Sequence, residues 1–149
     1  GYLTVTNSEI VDQSAVMDYV ISTCQKNDWK IECLCFDPAN ASKLMLDLSN
    51  EGYDVEEVYQ SHKSLNESTA GYREQVYEGN VVYMPNPVLN FAMSNAVIRT
   101  NNGLIKIDKD ATKKRIDPVD AMLCAYKLAL YHEFGQRTTA DEWLESDEW

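Results

Sequence analysis

Three aspartates stand where a folded chain gathers its chemistry. Phe36-Asp37-Pro38 places a carboxylate where an apolar, β-prone run gives way to a helical stretch. Ile116-Asp117-Pro118-Val119-Asp120 places a second at the start of the last helical stretch, with a third carboxylate three residues on. In an α/β sheet, functional groups collect at the carboxyl ends of the strands. Carboxylates converging there offer hard oxygen ligands to Mg²⁺ or Mn²⁺. The same residues read equally well as helix caps. Asp-Pro is a good N-cap followed by a good first helical residue, and Asp120 falls in the positively charged first turn. The two roles are compatible, because a carboxylate that accepts backbone N–H bonds stays ionised, as a metal ligand must.

Other candidates surround this group. Gln60 follows a β-prone run, with His62 and Lys63 close behind. A lone histidine outside any ligand spacing reads as a surface residue for His62, and His132 reads as structural within the last helix. Lys106, Lys109, Lys113, Lys114 and Arg115 gather five of the thirteen basic residues into one short stretch, able to hold a phosphate backbone. The net charge of −11 argues against a DNA-binding surface spread over the whole chain, but it is unevenly placed. Asp141, Glu142, Glu145, Asp147 and Glu148 crowd the last nine residues, where no Lys or Arg is present. Cys24, Cys33, Cys35 and Cys124 form no C-x-x-C pair and read as buried reduced thiols. Neither a dinucleotide fingerprint nor a phosphate-binding P-loop is encoded, and no G-x-S-x-G nucleophile motif occurs.

The elements that must position these residues alternate between strand and helix patterns. Residues 3–5, 31–36, 55–59, 81–84 and 104–107 read as strands. Helices are expected over about 14–25 (capped by Ser14), 38–50, 65–78, 88–99 and 118–134. Leu44, Leu46 and Leu48 are expected to be partly buried, as are Val16, Tyr19, Val20 and Thr23, and then Met122, Ala125, Tyr126 and Ala129. Asn101-Asn102-Gly103 is a strong turn signal. Strands alternating with crossovers of about a dozen residues imply an α/β sheet covered on both faces. Residues 1–134 read as one domain and 135–149 as a mobile acidic tail. No run reaches the roughly 20 apolar residues that span a bilayer, and the start resembles no signal peptide.

Taken in order, these segments resemble the C-terminal nuclease half of tailed-bacteriophage large terminase subunits. The matching pieces begin with Gly1-Tyr2-Leu3, Ile10-Val11-Asp12, Cys35-Phe36-Asp37-Pro38 and Val58-Tyr59-Gln60. They continue with Tyr77-Glu78-Gly79-Asn80, Asn86-Pro87-Val88-Leu89, Ser94-Asn95-Ala96 and Arg115-Ile116-Asp117-Pro118-Val119-Asp120-Ala121, the most telling piece. The resemblance implies an RNase H-like mixed sheet flanked by helices on both faces. It also implies two divalent ions, Mg²⁺ or Mn²⁺, held between acidic residues from three places. Asp37 would fill the second place and Asp117 the third, with Asp120 a neighbouring ligand. The implied reaction is metal-assisted phosphodiester hydrolysis of double-stranded DNA, with ions about 3.5–4 Å apart. Implied partners are the ATPase domain of the same parent chain and the portal or small terminase subunit, in the cytoplasm of a bacterial host. In the family the first aspartate lies in a hairpin upstream of the Gly-Tyr-Leu segment. An N-terminally truncated domain with weak or no activity of its own, and an exposed sheet edge, is therefore expected.

Two other readings compete: a non-enzymatic module whose acidic tail docks a packaging partner, and another RNase H-like nuclease such as a junction resolvase. Residue 117 separates capping from ligation. If Asp117 only caps, Asp117→Ala should cost about 0.5–2 kcal/mol of stability. If it ligates, Asp117→Asn should abolish divalent-ion binding, read by calorimetric titration, while the melting temperature stays nearly unchanged.

Overall fold

In a computed structural model the described residues are 2–5, 7, 9, 11–39, 41–108 and 114–131. Helix α1, Gln13–Lys26, begins at Asp12, not Ser14: the Asp12 carboxylate accepts the Ser14 backbone N–H at 2.9 Å and its hydroxyl at 2.8 Å. Strand β1, Leu34–Phe36, is followed by α2, Ser42–Asn50, then β2, Val55–Glu57. Helix α3, His62–Tyr77, is capped by Ser61, whose hydroxyl oxygen accepts the Ser64 N–H at 3.1 Å. Helix α4, Pro87–Asn95, is capped by Asn86, whose side-chain oxygen accepts from Val88 and Leu89, and Pro87 sits where a missing N–H costs nothing. Strands β3, Ile98–Asn101, and β4, Leu104–Ile107, lead to the last described helix, α5, Asp117–Ala129.

Several boundaries differ from the sequence reading for physical reasons. Residues 2–5 and 81–84 carry no strand: β-prone residues form one only with a partner, and among the described residues neither segment has one. Helix α2 starts four residues later than Pro38, because Asp37 closes a local turn by accepting the Ala39 N–H at 3.1 Å. The helix expected over 88–99 stops at Asn95, and Ile98–Asn101 forms a strand instead. That strand pairs antiparallel with β4 through Asn102-Gly103, both at positive φ of 49° and 79°. This is the geometry that an Asn-Gly two-residue hairpin favours.

Pairing occurs in two separate two-stranded sheets, parallel β1–β2 and antiparallel β3–β4, with no single mixed sheet among the described residues. Helix α5 ties them together. It packs on α3, α4 and β1, while α3 also lies on β4, and α2 packs between α1 and β2. The buried face of α5 runs through Val119, Leu123 and Cys124; of the expected stripe Met122 and Tyr126 are half-buried, and Ala125 and Ala129 are exposed. Val119 and Leu123 meet Ala92, with Tyr72, Leu89, Met93 and Ile107 around them. Cys124 meets Val58 and Leu65, with Cys35 packed alongside. Of the three α2 leucines only Leu48 is fully buried, and Leu46 is 61% exposed. On α1, Val16 and Tyr19 are exposed too. Polar contacts lock α3 to its neighbours: Asn66 accepts the Ile105 N–H at 2.8 Å, and the Lys127 ammonium donates to the Ser64 hydroxyl at 2.9 Å.

Two stability effects follow. Asn86→Ala removes the acceptor for two α4 N–H groups and should lower the unfolding free energy by about 1 kcal/mol in urea titration. Burial, reinforced by the neighbouring Cys33 and Cys124 sulfurs, pushes the Cys35 thiol from its usual 9.0 to about 12. The unfolded chain therefore ionises this thiol first, so the fold should lose stability as pH rises from about 9 to about 12. Cys35→Ala should flatten that loss in a pH series of thermal melts.

Candidate active site

The carboxyl end of β1 and the amino end of α5 meet in one cleft. A cavity of about 210 Å³ is lined by Cys35, Phe36, Asp37, Gln60, Asp117, Asp120, Ala121 and Cys124. The three aspartates picked out by sequence thus share one pocket, although 80 residues separate Asp37 from Asp117 in the chain. Asp37 reaches it from the turn after β1, half-buried, with one carboxylate oxygen occupied by the Ala39 N–H. Asp117 and Asp120 reach it from the first turn of α5. The N-cap of that helix is Ile116, whose side chain makes no cap bond, so Asp117 occupies a first-turn position and not the cap itself. Negative charge is favoured there by the unsatisfied N–H groups at the helix start. Asp117 is exposed at the mouth, whereas Asp120 is 6% exposed.

The floor is built by packing. Cys35 sits against the Val58, Leu65 and Cys124 cluster, which fixes β1 on α5 and brings Asp37, two residues on, over the helix start. Gln60 enters from the segment between β2 and α3. Its side-chain nitrogen donates to the Cys124 sulfur at 3.3 Å, and its backbone carbonyl accepts the Lys106 ammonium at 3.0 Å.

The basic stretch is only partly in view. Lys106 is half-buried in β4 and reaches the pocket wall through Gln60. Lys114 and Arg115 are exposed just ahead of α5, and the Lys114 ammonium lies 5.7 Å from the centre of the Phe91 ring, in cation–π range. Lys109, Lys113, His132 and the acidic tail fall outside the described residues. His62 opens α3, half-buried, with its Nε2 enclosed and meeting no hydrogen-bond partner among the described residues. The four cysteines are free thiols. No helix among the described residues is long and apolar enough to cross a membrane.

Chemically, the pocket offers carboxylate and amide oxygens, the donor set of Mg²⁺ and Mn²⁺. Among the described residues, no three His, Cys, Asp or Glu side chains are gathered tightly enough to hold an ion by themselves. The walls therefore supply oxygens without closing a cage. This suits an ion that keeps several waters and takes one or two carboxylates plus substrate oxygens. Gln60, singled out in the sequence just past a strand end, lines this wall, whereas Cys124 was read only as a buried thiol and carried no local signal of its place here.

Carboxylates at a strand end and a helix start thus share one cleft of an α/β domain. Comparison with known proteins makes the family specific. The sequence profile of the terminase large subunit endonuclease domain matches residues 1–133, and the chain belongs to that family. The fold is similar to that of the large terminase of bacteriophage HK97, with a TM-score of 0.75 at 24% sequence identity. That match covers 85% of this chain and 27% of the HK97 protein. No curated protein sequence matches the chain.

Proposed function

We propose that this chain is the DNA-cutting part of a phage packaging terminase, hydrolysing phosphodiester bonds of double-stranded DNA with Mg²⁺ or Mn²⁺ bound at Asp37, Asp117 and Asp120. The observation that carries the reading is their shared cavity, in a chain whose family is the terminase endonuclease domain. A bound divalent ion would supply the Lewis acidity that activates water and stabilises the leaving oxygen, and the resemblance implies two such ions.

The side chains divide the remaining work. Asp117, exposed, would hold the ion on the side of the incoming phosphate, and Asp120, buried, would stand behind it. Asp37 faces them from the other wall, its orientation fixed by the Ala39 N–H. Lys114 and Arg115, exposed immediately before the helix, would draw in the DNA backbone, and Lys106 holds a cation at the pocket wall. Lys109 and Lys113 would extend this track. An RNase H-like sheet flanked by helices is the architecture proposed for the domain, with an ATPase half in the same polypeptide. Portal or small-subunit partners in the host cytoplasm belong to that whole protein. Cutting is assigned to it.

Conversion of supercoiled plasmid to nicked and linear forms in Mn²⁺ tests the reading, using this chain and any longer polypeptide that contains it. Asp117→Asn and Asp37→Asn should each slow cutting by about 100-fold or more, as loss of a metal ligand does at minimum. Cutting that persists undiminished in both variants would put the chemistry elsewhere. In the basic track, Arg115→Ala should weaken DNA binding and flatten its salt dependence by about one unit of slope.

A further inference from the structure

We infer that Gln60 is a fourth oxygen donor of this pocket, placed to ligate the divalent ion directly or through one water; the inference rests on the metal-dependent reading above. Gln60 lines the same cavity as Asp37, Asp117 and Asp120. Its side-chain nitrogen is committed to the Cys124 sulfur at 3.3 Å, which orients the amide. No donor among the described residues reaches its side-chain oxygen, and that oxygen is not one of the enclosed polar atoms lacking a partner. Among the described residues it is therefore uncommitted. The backbone at this residue is also held, since the Gln60 carbonyl accepts the Lys106 ammonium at 3.0 Å.

A purely structural role accounts poorly for these facts. Thiol sulfur is a weak acceptor, so an amide kept only to bond Cys124 gains little over an apolar side chain of the same size. A tethered amide nitrogen with an uncommitted oxygen is, by contrast, how a neutral ligand is oriented by a neighbour. Mg²⁺ and Mn²⁺ accept amide carbonyls alongside carboxylates and waters, so such an oxygen would add to the Asp37, Asp117 and Asp120 set.

The two roles predict opposite orders for two variants. Gln60→Glu keeps an oxygen at the same place and adds charge, but loses the N–H bond to Cys124. Gln60→Leu loses both. Mn²⁺ binding to the 149-residue chain can be followed by the electron paramagnetic resonance signal of the free ion, with a thermal melt of each variant alongside. Gln60→Leu should weaken Mn²⁺ binding about tenfold, and Gln60→Glu should bind more tightly than the parent. Equal weakening in both variants would reduce Gln60 to a packing role through Cys124, and unchanged binding in both would remove it from the site. If Gln60→Leu does not fold, Gln60→Glu decides alone: only tighter binding upholds the inference. If the parent chain shows no Mn²⁺ binding that Asp117→Asn abolishes, the metal-dependent reading itself falls, and this one with it.

Discussion

Helix α5 has to bury an apolar stripe and, one turn away, hold two carboxylates at the edge of a cleft. Val119 and Leu123 press against α4 and the hairpin, and Cys124 presses against Val58 and Leu65. Burying such side chains is worth roughly 1.5–3 kcal/mol each. That anchoring sets the height and rotation of the helix, and with them the directions of Asp117 and Asp120. A register shift of one residue along α5 would put Pro118 and Ala121 where Asp117 and Asp120 now stand, and turn both carboxylates away from their places in the cleft. Packing and chemistry are therefore a single constraint, carried by the eight consecutive residues from Asp117 to Cys124.

The opposite wall depends on the same contact from the other side. Cys35 packs on the cluster that includes Cys124, and Asp37 follows two residues later. Gln60 bonds Cys124 from a third direction. One buried thiol thus has the strand end, the loop after β2 and the helix gathered around it. Sulfur suits this position: it is small, polarizable and tolerant of imperfect geometry.

Much of the site could be read from local sequence. Asp37 and Asp117 stood out because each joins an element end to a proline, and Asp120 because it lies three residues further along a helix. The alternation of patterns was likewise enough to expect an α/β fold. Other features depended on distant residues. Asp37-Pro38 looked like a helix start, yet the Ala39 N–H captured the carboxylate and delayed α2 to Ser42. Val97 and Ile98 followed a helical run closely enough to be absorbed into it, although the Asn102-Gly103 turn already required a strand on its near side. Residues 2–5 had the composition of a strand and, among the described residues, no neighbour to pair with. The Gln60–Cys124 bond joins residues 64 apart and left no local trace.

The shortness of β1 has a dynamic consequence. Three residues, paired on one side only among the described residues, carry the strand that delivers Asp37, whereas α3, α4 and α5 are bound to one another over several turns. Regions of a protein open independently, with free energies that follow their local contacts. The β1–β2 ribbon is therefore the part expected to open first, moving one carboxylate away while the helical body and its two aspartates stay folded. Amide exchange at Leu34 and Phe36 would run ahead of exchange at Leu123, and the cleft would lose its shape well before the domain loses its helices. Whatever binds across the three aspartates must then act as a clasp, holding shut a seam that the chain's own hydrogen bonds close only weakly.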